Sequence, residues 1–508
     1  SSPYPQDELT TAWKAILFNQ FHDILPGSAI RDVYDEVDPI WRKTEATAVR
    51  ITSAALEAIA TQIALPPPPV TNAQPWVLFN SLSWSRDGTV ALPLPASSGG
   101  GWAYDEAGPL LCQVDPAART MLVRAKAVPG VGYSLIWLAS GEPPEALPKS
   151  LPVPPADYRL ENDHLRVILD PHTGAIAQIF DKQVNRDVLS GPGNQLQAFR
   201  DQGQYWDAWN IDPDYGQHPL PVQLRSITWQ TYGPLRHCVR VVQRIGSSDI
   251  QQDYTLDAGS SQLTIQSCTN WQERHVLVKA AFPLALSADE ALTETPFGIT
   301  PRPTNPQTPA QQAQWEVPAL NWSDLSDRHQ DYGVSLLSDY RHGYDFQPSC
   351  IRLTLLRGAC WPDPLADAGH HTWAYSIYPH GGGCGIATVQ KGYEQHHPLQ
   401  LVRPSPSLSP PSALPASNQF IHLPQNVILS AFKQTEDGAG WALRGYECLG
   451  QPAPTALSLF GDAKGITQTS ADLLEQRRSI SPQDGDPPSV DLNHWRPWEI
   501  KTILVRGL

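Results

Sequence analysis

No stretch of the sequence approaches the roughly 20 consecutive apolar residues that a helix needs to cross a bilayer, which excludes a membrane-spanning helix. Basic charge is also short: 36 Lys and Arg face 51 Asp and Glu, a formal charge of −15. A nucleic-acid surface needs clustered positive charge to neutralise phosphates, so that class of partner is excluded as well. The seven cysteines, Cys112, Cys238, Cys268, Cys350, Cys360, Cys384 and Cys448, are scattered and contain no C-x-x-C pair. An odd, dispersed set argues against a disulfide framework or a zinc knuckle, and a reducing, cytoplasmic compartment is expected. Methionine occurs once, at Met121, and the chain opens Ser1-Ser2-Pro3 with a helical pattern at once. A fragment of a longer protein is the expectation.

What is present points to several domains, since 508 residues exceed what one hydrophobic core organises. Tryptophan (17) and tyrosine (16) are abundant. Such rings stack on sugar faces, but they fill β-sandwich cores more often. Only the first part reads as helix. Trp13, Ile16, Leu17 and Phe21 fall on one helical stripe, and Pro26-Gly27 stops it. Ser28 is placed to cap a second helix whose face carries Ile30, Val33, Tyr34, Val37 and Trp41, with Pro39 a break or kink. Ala48, Ile51, Ala55, Ile59 and Ile63 continue the stripe to about Ala64. Two or three antiparallel helices are the simplest packing.

The prolines at 66–69 end the helices. Short alternating runs follow, such as Trp76-Val77-Leu78-Phe79 and Leu165-Arg166-Val167-Ile168-Leu169, split by turn residues; these are the mark of antiparallel sheets. Asp170-Pro171-His172-Thr173-Gly174 between two such runs predicts a hairpin. Proline-rich stretches at about 142–155 and 404–415 separate the β regions. The expected fold is α+β multidomain: a short N-terminal helical bundle at 1–65, a small β domain at 76–140, a large β-sandwich at 156–403 and a C-terminal β domain at 416–508.

The segment Phe18-Asn19-Gln20-Phe21-His22-Asp23-Ile24-Leu25-Pro26-Gly27-Ser28 concentrates polar chemistry. Spacing of i, i+3 and i+4 places Asn19, His22 and Asp23 on one helix face. Neutral imidazole ligates zinc well, and a neighbouring carboxylate binds metal or sugar hydroxyls. By spacing alone, a solvated polar face beside a helix C-terminus is the commoner meaning. One histidine is not a metal site.

The full string resembles a motif of the family 38 α-mannosidases among the glycoside hydrolases. Leu160-Glu161-Asn162, the 170–174 turn, Phe297-Gly298, Trp315-Glu316-Val317-Pro318-Ala319, Asp331-Tyr332-Gly333-Val334 and Tyr378-Pro379-His380 also resemble its cytosolic and bacterial branch, in the family's order. The resemblance implies a zinc-dependent retaining α-mannosidase acting on terminal α-linked mannose. It implies that His22 is a zinc ligand and that Asp23 binds mannose hydroxyls. Trp206-Asp207-Ala208-Trp209-Asn210 resembles a loop approaching the site in relatives, making Asp207 and Trp209 substrate-contact candidates; a buried Trp with a turn-forming Asp is the competing meaning. The family's N-terminal α/β catalytic half, with its nucleophile, acid/base and remaining zinc ligands, has no counterpart here. No catalytic residue is therefore expected in this chain. One imidazole should not hold Zn2+ tightly against water, and activity should require the N-terminal half as partner. A homo-oligomer is left open. His329-Gln330-Asp331 has ligand spacing but lies in a stretch resembling the β domain, so it is read as incidental. His370-His371 and His396-His397, as adjacent pairs, chelate poorly if they lie on strands.

Two other classes stay in view. A non-catalytic β-sandwich carbohydrate-binding or interaction protein would also suit the missing carboxylates and the many aromatic rings. A polysaccharide lyase would need a Tyr/His or Arg constellation in the sandwich, and none stands out.

Overall fold

A computed structural model describes residues 3–68, 70–94, 101–115, 118–141, 152–203, 206–327, 331–404, 414–454, 458–459, 466–476 and 494–507. His329 and Gln330, and most of the two proline-rich stretches at 142–155 and 404–415, lie outside the described residues. The chain divides into two compact units: Ser1–Ala55 with Pro148–Glu294 and Pro301–Cys384, and Leu56–Leu147 with Thr295–Thr300 and Gly385–Leu508.

The helical pattern yields α1 (Gln6–Phe18) and α2 (Arg31–Ala60). Asp7 and Glu8 occupy the first turn of α1, where carboxylates complement the helix dipole. None of α1 is buried, and Trp13, Leu17 and Phe18 stand exposed, so its apolar stripe has no cover within this chain's described residues. Pro39 does not interrupt α2. The carbonyl that its missing N–H leaves free belongs to Asp35, an exposed residue that water can satisfy. Ser28 does not cap α2, which begins three residues later; its hydroxyl turns back to the Asp23 carbonyl at 3.4 Å instead. Among the described residues no helix is long and apolar enough to cross a membrane.

The first unit is otherwise antiparallel sheet. One long sheet runs in the order Gln223–Tyr232, Arg236–Ile245, Ser248–Asp257, Leu263–Trp271, Gly369–Gly381, Tyr332–Ser338 and Trp322–Asp327. A second places Gln195–Arg200, Val276–Pro283 and Cys350–Leu356 side by side. Alternate residues of both sheets, including Val239, Ile250, Val278, Leu353 and Trp373, fill a single core, as a sandwich requires. The hairpin read from the sequence pairs Leu165–Leu169 with Ile176–Asp181, Val167 facing Ile179. Its turn closes through the Asp170 carbonyl accepting from Gly174 N–H at 2.8 Å, with Gly174 at φ 75. A Cβ there would meet the Val241 side chain at 2.5 Å, so only glycine suits both the backbone and the space.

In the second unit Gln74–Asn80 and Gly132–Ser140 pair in one sheet, and Arg86–Pro93 and Thr120–Val128 in another. Leu78, Leu92, Met121, Val123 and Ile136 pack between them. A further sheet, Val427–Gln434, Trp441–Glu447, Ile500–Arg506 and Thr467–Ala471, encloses Leu443, Ile503 and Val505. His396 ends the helix Ile386–His396, so the pair His396-His397 is not on a strand.

Candidate functional site

Helix α1 stops at Phe18, earlier than the spacing argument requires. Asn19 is its C-cap, and the Asn19 amide donates to the Ala15 carbonyl at 2.9 Å. Side-chain bonding of this kind competes with continued helix. His22 and Asp23 consequently lie in the turn between the helices, not on a helix face with Asn19, which is buried. The His22 side chain is 77% exposed, with Nε2 3.6 Å from Asp23 Oδ2. The Phe21 ring lies against it, centroids 4.2 Å apart.

The turn is held from below. Ser28 N–H donates to the Asp23 carbonyl at 3.0 Å, and the Tyr34 hydroxyl donates to the same oxygen at 3.2 Å while accepting from Ala29 N–H at 3.1 Å. Burial pushes the Tyr34 phenol upward, the charges of Asp363 and Asp23 add to this, and the Ala29 hydrogen bond opposes it. Asp363 is buried and lies 3.9 Å from Arg31 Nη1, which brings the 358–367 loop beside the start of α2.

That loop meets the segment carrying Asp207 and Trp209. Ala208 N–H donates to the Trp361 carbonyl at 3.0 Å. The Trp206, Trp209 and Trp361 rings form a cluster with centroid separations of 4.9, 5.6 and 6.1 Å, and they are 60%, 46% and 47% exposed. Asp207 lies beneath, buried, its Oδ2 accepting from Cys360 N–H. Asp201, also buried, takes Arg357 Nε at 2.7 Å and Asp212 N–H at 2.8 Å. These bonds stitch the two loops together, so Trp209 presents a ring to solvent while Asp207 faces inward. His22 and Asp23 are neighbours, as are Asp207 and Trp209. Trp361, Arg357 and His275 escaped the sequence reading because they lie in loops far along the chain from the segment carrying Asp207. A cavity of about 890 Å³ in the second unit, lined by Trp102, Tyr104, Lys126 and Trp137 among others, contains none of His22, Asp23, Asp207 and Trp209.

A shell for a metal needs three or four donors converging on one point. Among the described residues the group of three that meets this distance condition is Asp207, His275 and Cys360, and it does not include His22. The exposed His22 imidazole fits a single contributed ligand, with Asp23 beside it, and not a shell of its own.

A helix–turn–helix segment carrying an exposed histidine beside an aspartate, continued by antiparallel sandwiches, defines a multidomain α+β protein. The comparisons narrow this class. Residues 1–59 match the α-mannosidase middle domain, 160–365 the glycosyl hydrolases family 38 C-terminal domain, and 426–503 the family 38 C-terminal beta sandwich domain. The chain belongs to glycoside hydrolase family 38. It is 31% identical to alpha-mannosidase 2C1 of Homo sapiens over 464 residues, 88% of this chain and 41% of that protein. It is 29% identical to alpha-mannosidase 2C1 of Mus musculus, over 99% of this chain and 46% of that one. Alpha-mannosidase G of Dictyostelium discoideum is 26% identical, over 98% and 48% respectively. The chain thus spans less than half the length of these relatives. An alpha-mannosidase structure from Enterococcus faecalis V583 shares the fold at TM-score 0.79 and 18% identity, covering 99% of this chain and 64% of that one.

Proposed function

We propose that this chain is the C-terminal portion of a zinc-dependent retaining α-mannosidase that hydrolyses terminal α-linked mannose. The observation that carries the reading is the 19–28 turn, which holds the His22 imidazole out to solvent beside Asp23, in a chain that matches the family's middle and C-terminal domains. In this reading a preceding α/β half brings the nucleophile, the acid/base and the other zinc ligands; a retaining pair of carboxyls sits about 5–5.5 Å apart. When bound, zinc supplies coordination for the vicinal hydroxyls of the sugar and helps orient its ring. His22 contributes one nitrogen donor to that shell. Asp23 accepts hydrogen bonds from mannose hydroxyls. Trp209 offers an apolar ring to the sugar face, and Asp207 acts from below by holding the loop that carries it. A reducing, cytoplasmic setting belongs to the same reading, and the scattered spacing of the seven cysteines supports it.

His22→Ala in the complete enzyme is expected to leave the fold intact while lowering zinc affinity by more than about tenfold, the smaller end of what even outer-shell changes cost. Metal content after dialysis and turnover of an aryl α-mannoside check this together. Wild-type zinc and rate in the variant would remove the assignment.

The exposed tryptophan cluster favours one alternative, a non-catalytic carbohydrate-binding or interaction protein. Binding of a mannose oligosaccharide by this chain, with no gain of hydrolysis when the N-terminal half is supplied, would favour that reading.

A further inference from the structure

Three neighbouring strands of the first unit end at the same edge of their sheet. Gln195–Arg200 leads out into the loop bearing Asp207, Val276–Pro283 begins directly after His275, and Cys350–Leu356 leads out toward Cys360. The pairing Arg200 to Val276, and Val278 to Leu356, brings these ends level. One ligand atom each from Asp207, His275 and Cys360 then lies within 4.8 Å of the other two.

Two of these groups lack the partner that burial demands. Asp207 Oδ1 and His275 Nδ1 are both inaccessible and accept or donate no hydrogen bond. Asp207 itself is 6% exposed. An unpartnered buried carboxylate oxygen is costly, and such a group calls for an explanation. The surrounding contacts do not supply one. Asp207 Oδ2 accepts from Cys360 N–H and lies 3.6 Å from His275 Nδ1. Arg357 comes no nearer than 3.6 Å to Oδ1, its guanidinium being engaged with Asp201 and the Asn210 carbonyl. The Cys360 thiol lies 3.5 Å from the Gly358 carbonyl and also meets the His275 backbone.

We propose that Asp207, His275 and Cys360 form a binding site for one borderline divalent cation of the Zn2+ or Co2+ type. The donor set decides the class of ion: sulfur and imidazole disfavour Mg2+ and Ca2+, and three protein ligands leave a fourth, tetrahedral position to water. The loop positions give the ligands the freedom to close from within 4.8 Å to bonding distance. A cation binds cysteine as the thiolate, so binding releases the thiol proton to solvent and strengthens with rising pH. The site stands on different residues from His22 and does not depend on the mannosidase reading.

The test uses the 508-residue chain, reduced and stripped with a chelator, titrated with Co2+. Expected is one equivalent bound with a near-ultraviolet thiolate-to-cobalt absorption band. Cys360→Ser should abolish the band, Asp207→Asn should weaken binding by about tenfold or more, and His22→Ala should change neither. A measurement on the unmutated chain guards against misfolded variants: Zn2+ should slow alkylation of Cys360 by iodoacetamide, read as peptide mass. Saturation without a thiolate band, a band that survives Cys360→Ser, or equal alkylation with and without Zn2+ would each overturn the proposal.

Discussion

Glu294 shows how one buried group carries a pH signature. Its side chain is buried with Oε2 accepting from Asn321 N–H at 2.8 Å, and burial pushes its carboxyl up to about 7 against that hydrogen bond. The folded value lies above the ordinary one of 4.5. The resulting stabilisation is therefore fully present below pH 4.5 and is lost as pH rises through about 7. Glu294→Gln removes this titration while keeping an acceptor for Asn321. Urea unfolding from pH 4 to 8 should show wild type losing about 3 kcal/mol relative to the variant, as a shift of this size implies. Parallel stability curves would contradict the assignment. At this scale the sequence was informative only where the candidate residues are neighbours in the chain. His22 and Asp23 adjoin one another in sequence and in space. The Asp207, His275 and Cys360 group could not be read, because its members lie in loops beside the ends of three strands that meet only once the sheet forms.

Among the elements, the strand Val276–Pro283 carries the least expected residue. Lys279 is wholly buried, and its Nζ donates to Glu316 Oε2 at 2.5 Å, Asp345 Oδ2 at 2.8 Å and Thr354 Oγ1 at 2.9 Å. Desolvation alone would lower the ammonium's affinity for its proton, but the two carboxylates outweigh it and hold the group charged. Removing the cation leaves the Glu316 carboxylate uncompensated and Asp345 with Arg352 alone, whose Nε lies 2.6 Å from its Oδ1. Lys279→Met should destabilise the first unit by about 3–5 kcal/mol, with most of the loss recovered when Glu316→Gln is added. Denaturant midpoints of the wild type and these two variants decide it; a loss under about 1 kcal/mol for Lys279→Met would mean the cluster is solvated. Hairpins were the legible elements. Leu165, Val167 and Leu169 alternate inward, and the Asp170–Gly174 turn announces itself by proline and glycine. The end of α1 was not legible, since Asn19 bonding back to Ala15 stops the helix before the Pro26-Gly27 signal is reached.

For the whole molecule, the telling feature is apolar surface that the described residues leave exposed. Trp13, Leu17, Phe18, Phe21 and Leu25 stand exposed along α1 and the turn after it. In the proposed function this face receives the preceding α/β half. Mixing that half with this chain should produce hydrolysis of an aryl α-mannoside that neither shows alone, and Leu17→Glu should weaken the association seen by sedimentation. Absence of both complex and activity would count against a shared active site. Overall architecture was readable because alternation, turn residues and proline runs are local signals summed over hundreds of residues. The burial of Asp207 was not, because it depends on Cys360 lying 153 positions away.

The turn that carries His22 is moored by Ser28 and Tyr34 to the Asp23 carbonyl rather than by helical phase. Its aim is thereby decoupled from α1. Adding one residue within α1 would swing Trp13 about 100° around the axis relative to the turn, yet leave the imidazole where it is. Tyr34→Phe, which disturbs no ring on α1, would let it wander.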